Sequence, residues 1–168
     1  MSLRQRQEVQ KVLRALPGEL IAYSAMDYIG IDYGSKIIGL SWGSDTLSVV
    51  VPLKAIRSFR STEQALTILQ QRVVEYPCDA FVVGWPLHMD GREGKRTQEV
   101  QRFVDAIKQA IDKPVILQDE RLSTQAAKEA LSFDALSLKH SKQTKAAGQL
   151  DSQSARIILE DYLNRLPL

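Results

Sequence analysis

Three short acidic stretches carry the residues able to do chemistry. They are Ile29-Gly30-Ile31-Asp32-Tyr33-Gly34, Gln118-Asp119-Glu120-Arg121 and Leu150-Asp151-Ser152. Each stands where an apolar segment meets a turn or a helix start, so carboxylates far apart in the chain can be delivered to one end of a sheet. Oxygen donors of this kind suit hard divalent cations, Mg²⁺ or Mn²⁺, whereas nitrogen and sulfur donors suit zinc. Two such ions about 3.5 to 4 Å apart can activate a water and stabilise the leaving oxygen of an in-line displacement. The chemistry to expect is therefore metal-dependent phosphodiester cleavage. Carboxylates gathered within metal-binding distance repel one another, and without the cation at least one should titrate above its usual range.

Each acidic residue also has a purely structural explanation. Asp32 ends an apolar strand before a turn through Gly34, where an aspartate commonly caps backbone amides. Asp119 and Glu120 follow the apolar strand Val115 to Leu117 and precede Ser123-Thr124, and a helix N-terminus there would favour negative charge. Strand alternation sends the two to opposite faces. Only one should reach a metal, and Glu120 is the first choice with Asp119 as the fallback. Asp151 reads as the N-cap, or near it, of a last helix that carries Ile157, Ile158, Tyr162 and Leu163.

The stretch Gly84 to Gly94 contains three glycines, follows a buried strand and precedes a helix, which suits a binding loop or lid. Trp85 can stack on a base or brace the loop against the core. Arg92, Lys95 and Arg96 lie near a helix N-terminus, where backbone amides also attract phosphate. His88 has no partner motif and reads as a structural hydrogen-bonding residue.

Alternating short apolar runs place strands at Tyr28 to Asp32, Ile37 to Ser41 and Leu47 to Val51, joined by short turns into an antiparallel meander. Ser61-Thr62-Glu63-Gln64 matches a capping box, and the apolar residues that follow predict a helix as far as Tyr76-Pro77. The continuous run Ala80 to Val83 predicts a buried strand. Val100, Phe103, Val104, Ile107 and Ile111 then mark a second helix before the strand at Val115, a parallel pair with a right-handed crossover. Thr124 to Leu131 predicts a third helix, and the polar stretch Ser132 to Gln149 a mobile segment. The fold class is α/β, with five strands in a mixed sheet flanked by helices.

At 168 residues the chain suits one domain, residues 27 to 168, preceded by an N-terminal helical extension, residues 1 to 26. In that extension Val9, Val12, Leu13 and Leu16 recur at helical spacing among Arg4, Arg6, Lys11 and Arg14, ahead of Pro17-Gly18. It reads as an accessory helix docked on the domain or as a phosphate-touching arm. Lys and Arg number 22 against 20 Asp and Glu, a balance that permits nucleic-acid binding without requiring it. Cys78 is the only cysteine, and neither a signal peptide nor a bilayer-long apolar run is present, so the expectation is a cytoplasmic protein with no membrane association.

Taken together the motifs resemble the YqgF/RuvX family, whose members are named for pre-16S rRNA processing and are related to Holliday-junction resolvases of the RNase H-like fold. The likeness runs from about Tyr28 to Leu163. It is carried by Gly30-Ile31-Asp32-Tyr33-Gly34-Ser35-Lys36 with Ile38-Gly39, by Val83-Gly84-Trp85-Pro86 through Asp90-Gly91, by Asp119-Glu120-Arg121-Leu122-Ser123-Thr124, and by Asp151-Ser152 ahead of Ile157-Ile158-Leu159. The resemblance implies an RNase H-like sheet and an acidic site of Asp32, Glu120 and Asp151 holding Mg²⁺ or Mn²⁺. It also implies trimming of the 5′ end of the small-subunit rRNA precursor. Lys36 and Arg121 become candidate phosphate partners, Arg121 the better suited to bidentate contact. The same centre would serve a Holliday-junction resolvase acting as a symmetric dimer, and a non-catalytic nucleic-acid-binding or transcription-associated factor on this fold is the alternative of another class. Monomer and homodimer both fit the sequence.

Overall fold

The computed structural model describes residues 25–47, 49–120 and 146–166, of which 146–151 are described by backbone alone. Five strands form one sheet: β1 (Asp27–Tyr33), β2 (Ile37–Ser44), β3 (Val49–Arg57), β4 (Ala80–Trp85) and β5 (Val115–Asp119). Three described helices accompany them: α1 (Thr62–Glu75), α2 (Lys95–Ala110) and α3 (Ala146–Leu163). The strand order is β3-β2-β1-β4-β5. β1, β2 and β3 form the antiparallel meander, while β4 runs parallel to β1 and β5 parallel to β4. This is the five-stranded mixed sheet, a meander followed by parallel strands, that the sequence leads one to expect.

Alternation along β1 divides the core into two layers. Ile29 and Ile31 face one way, into a cluster with Leu40, Leu69, Phe81 and Phe103. That layer lies between the sheet and helices α1 and α2, and Tyr33 stacks on Phe103 there at 4.6 Å between ring centroids. Tyr28 faces the other way, where Ala80, Val82, Ile158 and Leu159 complete a smaller cluster under α3. Asp32 has the parity of Tyr28 and Gly30, so its carboxylate emerges on the α3 side.

Glycine and serine allow α3 to lie close to the sheet. A Cβ on Gly30 would come within 2.8 Å of both the Ala155 carbonyl oxygen and the Leu159 Cβ, and closer still to Ser41 Oγ. The Ser41 hydroxyl donates to that same carbonyl at 2.9 Å. At the bulge between Ile38 and Leu40, the Leu40 amide donates to Ser152 Oγ at 3.4 Å. Ser152 thus ties the helix to the strand beside β1.

Several boundaries differ from the sequence reading. β3 runs from Val49 to Arg57 rather than from Leu47 to Val51, and it contains Pro52. Proline ends most strands because it lacks an N–H, but β3 is an edge strand, where that donor is not needed. β2 continues to Ser44 because Trp42, Gly43 and Ser44 pair with neighbours on both sides. Gly84 and Trp85 belong to β4 rather than to the loop. Asp151 lies more than a turn inside α3 and is not its N-cap, because the helix begins at Ala146, within the stretch expected to be mobile. The helix expected at Thr124 to Leu131, Arg121, and the extension up to residue 24 lie outside the described residues. Among the described residues no helix is long and apolar enough to cross a membrane.

Gly30→Ala should force α3 off the sheet. We expect a loss of about 1 to 3 kcal/mol of folding stability, the usual cost of overpacking, read from the urea midpoint at unchanged m-value.

Candidate functional site

The site forms where β1, β4 and β5 reach their C-terminal ends, the position at which open α/β sheets place ligands. In register, Ile31 of β1 opposes Val83 of β4, and Gly84 opposes Gln118 of β5. One step further along, Asp32 leaves β1 beside Gly84, and Glu120 leaves β5 on the same face. The Glu120 amide donates to the Trp85 carbonyl at 3.3 Å, which extends the ladder by one residue and fixes that face.

Gly84 makes the meeting possible. A Cβ there would run into Oε1 of Glu120 and stand 2.6 Å from Ile158 Cδ1, so the glutamate side chain occupies the space over the glycine, against α3. Asp119 has the opposite parity and is in register with Trp85, on the face of α1 and α2. The alternation expected from the sequence therefore places Glu120, not Asp119, with Asp32.

The electrostatics follow from this geometry. Burial, then the Asp32 charge, push the Glu120 carboxyl up to about 7, with Asp119 adding and Arg96 opposing. Burial also raises Asp32, while Arg96 and a hydrogen bond from Ser154 lower it. The Arg96 guanidinium lies 3.7 Å from Asp32 Oδ1, reaching over the sheet end from the first turn of α2. Two half-buried carboxylates that resist joint ionisation, with oxygen-only donors, fit a hard divalent cation, whose charge would offset the repulsion. Asp32 and Glu120 would hold it. Among the described residues no three His, Cys, Asp or Glu side chains gather as a metal site. The side chain of Asp151 is outside that set, although its backbone lies on α3 one turn before Ser154.

The remaining candidates divide. Lys36 is exposed in the β1–β2 turn at the same sheet end, and Lys95 is exposed at the start of α2. Trp85 is half-buried and packs against the larger core cluster, the bracing role of its two readings. Arg92 is held by Asp90 at 2.6 Å, an ion pair inside its own loop. That loop is stitched by Gly91 N to His88 O and His88 N to Arg92 O, and Gly91 has a φ of 84°, a left-handed conformation natural to glycine. Buried Thr97 ties the loop to α2 by donating to Pro86 O at 2.5 Å and accepting from Gly94 N. Sequence reasoning missed Ser154, since a serine within a helix carries no signal of its own. Its spacing of three from Asp151 was the available clue.

The family model for RuvX, described as "Holliday junction resolvase", matches residues 26–165. A curated protein of Halothermothrix orenii named "Putative pre-16S rRNA nuclease" is 33% identical over 139 residues, 83% of this chain and 95% of its own length. One of the same name from Rhizobium rhizogenes is 36% identical over 151 residues, 90% of this chain and 84% of its own. Among solved structures, the fowlpox virus Holliday junction resolvase aligns with 84% of this chain and 100% of its own at 12% identity and a TM-score of 0.48.

In the fold Glu120 binds its proton more tightly than in the unfolded chain, so between about 4.5 and about 7 the native state carries more protons. Stability of the metal-free protein should therefore fall as pH rises through that window, and Glu120→Gln should flatten the fall. Arg96→Gln removes a charge that lowers Glu120, and should move the transition to higher pH. Urea denaturation in chelator from pH 4 to pH 9 reads both.

Proposed function

We propose, from the premise that this chain belongs to the RuvX family, that it is a nuclease that uses Asp32 and Glu120 to hold a divalent cation against a phosphodiester. As an enzyme it is a hydrolase of phosphodiester bonds. The observation that carries the reading is the meeting of Asp32 and Glu120 over Gly84, with the repulsion that lifts Glu120 to about 7. Asp151, on the helix that supplies Ser154, is the third ligand the family resemblance implies. Asp119, on the opposite face, is not needed as a ligand.

Bound at these carboxylates, Mg²⁺ or Mn²⁺ supplies the positive charge that acidifies an attacking water and stabilises the leaving oxygen. The chain's own residues do the rest. Ser154 orients Asp32 and favours its ionised form. Packing against Ile158 and the Gly84 backbone holds the half-buried Glu120 in place, so little reorganisation is needed when charge develops. Arg96 sits beside Asp32 with an exposed guanidinium, and can exchange that carboxylate for a phosphate oxygen in bidentate fashion. Lys36 and Lys95 extend positive charge around the same sheet end, and Arg121 is the further phosphate partner that the resemblance implies. Arg92, already paired with Asp90, contributes less, and Trp85 shapes the floor beneath the loop rather than stacking on a base.

The substrate we favour is the 5′ end of pre-16S rRNA in the cytoplasm, supported by the names of the relatives. The family description favours a second reading, resolution of four-way DNA. That activity needs two sites facing two strands, hence a symmetric dimer. One comparison separates them. With Mn²⁺ at a stated salt concentration, the wild type should cut a precursor rRNA fragment faster than a four-way junction, and Asp32→Asn should slow cleavage by about a hundredfold or more. Preference for the junction by a dimer would favour the resolvase. Equal cleavage by wild type and Asp32→Asn would dismiss the site.

A further inference from the structure

The end of the sheet remote from the carboxylates carries exposed apolar side chains. Opposite the acidic site, the chain enters β1 beside the β2–β3 turn. There the Met26 amide donates to Asp45 Oδ1 at 3.0 Å and the Asp45 amide donates to Met26 O at 3.2 Å. Asp27 lies across from Ser44 of β2, which in turn lies across from Val49 of β3. Around this entry four large apolar side chains stand in solvent: Leu47 at 53% exposure, Val49 at 47%, Val51 at 37% and Met26 at 36%. Exposed apolar residues scattered singly are ordinary, but a group at one corner marks a surface that something covers. Val51 is in register with Trp42, the last residue of the larger core cluster on this strand, so the corner continues the core outward.

The same end is acidic. Asp79 Oδ2 accepts from the Asp27 amide at 2.9 Å. Asp45 and Asp79 both act on Tyr28, and Asp27 and Asp79 both act on Cys78, where Lys113 opposes them. A cover for this corner should therefore be apolar on one side and basic at its flank. A second copy adding a strand to β3 fits poorly, because Pro52 offers no N–H and Lys54 puts charge on that edge.

The chain itself holds a segment of the required chemistry. Val9, Val12, Leu13 and Leu16 recur in the sequence at helical spacing among Arg4, Arg6, Lys11 and Arg14. Pro17-Gly18 follows, and the stretch from Gly18 to Ala25 can span about 25 Å when extended. The distance from β1 to β3 is only about 10 Å, two strand spacings. The tether ends at the corner itself.

We propose that the segment from Ser2 to Leu16 folds back as an amphipathic helix onto the corner of Met26, Leu47, Val49 and Val51, with its basic residues against Asp27, Asp45 and Asp79. The extension is then a clamp on the end of the sheet remote from the carboxylates, and not an arm on the substrate. This goes beyond the nuclease reading and does not depend on it.

A double-mutant cycle on the full chain tests the contact. Leu13→Asp and Val49→Asp should each raise the unfolding equilibrium constant roughly five- to thirtyfold, and the double variant no more than the larger single effect, because both remove one interaction. In Leu13→Asp alone, which leaves the sheet intact, amide exchange at Val49 to Val51 should accelerate. The wild type should be monomeric in sedimentation at the same concentration. Multiplicative single effects, or unchanged exchange in Leu13→Asp, would overturn the proposal. So would coupling that appears only in a concentration-dependent dimer, which would give the corner to a second copy.

Discussion

Two carboxylates held in one half-buried space set the terms for everything around them. Burial disfavours ionisation of both Asp32 and Glu120, the Asp32 charge disfavours it further at Glu120, and the structure contains several devices that hold them there regardless. Gly84 leaves the room that Glu120 fills, Ser154 hydrogen-bonds Asp32, and Arg96 brings positive charge over the sheet end. These residues come from β4, α3 and α2, and the carboxylates from β1 and the end of β5. The site is a property of the assembled sheet and of no local motif. Its electrostatic cost is what makes a divalent cation a fitting occupant, since the same arrangement without a counter-charge opposes folding as pH rises.

Helix α3 links stability to chemistry. Ser41 donates to its Ala155 carbonyl, Leu40 donates to its Ser152 hydroxyl, and Leu159 closes over Gly30. These contacts fix the helix's depth and rotation. The same rotation brings Ser154 to Asp32 and Ile158 to the Glu120 side chain. A substitution that lifts α3, such as one at Gly30, should reach the carboxylates without touching either.

Much of this was legible in the sequence for identifiable reasons. The end of an apolar strand marked Asp32, and period-two alternation separated Glu120 from Asp119, because strand parity survives small errors in strand boundaries. The continuous apolar run Ala80 to Val83 marked the buried parallel strand β4, and Ser61 capped α1 as its spacing predicted, with Gln64 N donating to Ser61 Oγ at 3.3 Å. Boundaries were less legible. Pro52 shortened β3 on paper, since the edge position that tolerates it depends on the finished strand order. The polar character of the residues before Asp151 concealed a helix beginning at Ala146. Gly84 read as loop punctuation, whereas its role over Glu120 depends on register between β4 and β5. Ser154 and the Arg96 contact are tertiary facts that no local pattern announces.

The most direct measurement is the titration of the Glu120 side-chain carboxyl by NMR in metal-free protein, in the wild type and in Asp32→Asn. A shared acidic site predicts a midpoint near 7 in the wild type, lowered when the Asp32 charge is removed. A Glu120 that titrates in the ordinary carboxylate range and ignores Asp32→Asn would show that the two side chains do not meet, and would contradict the account.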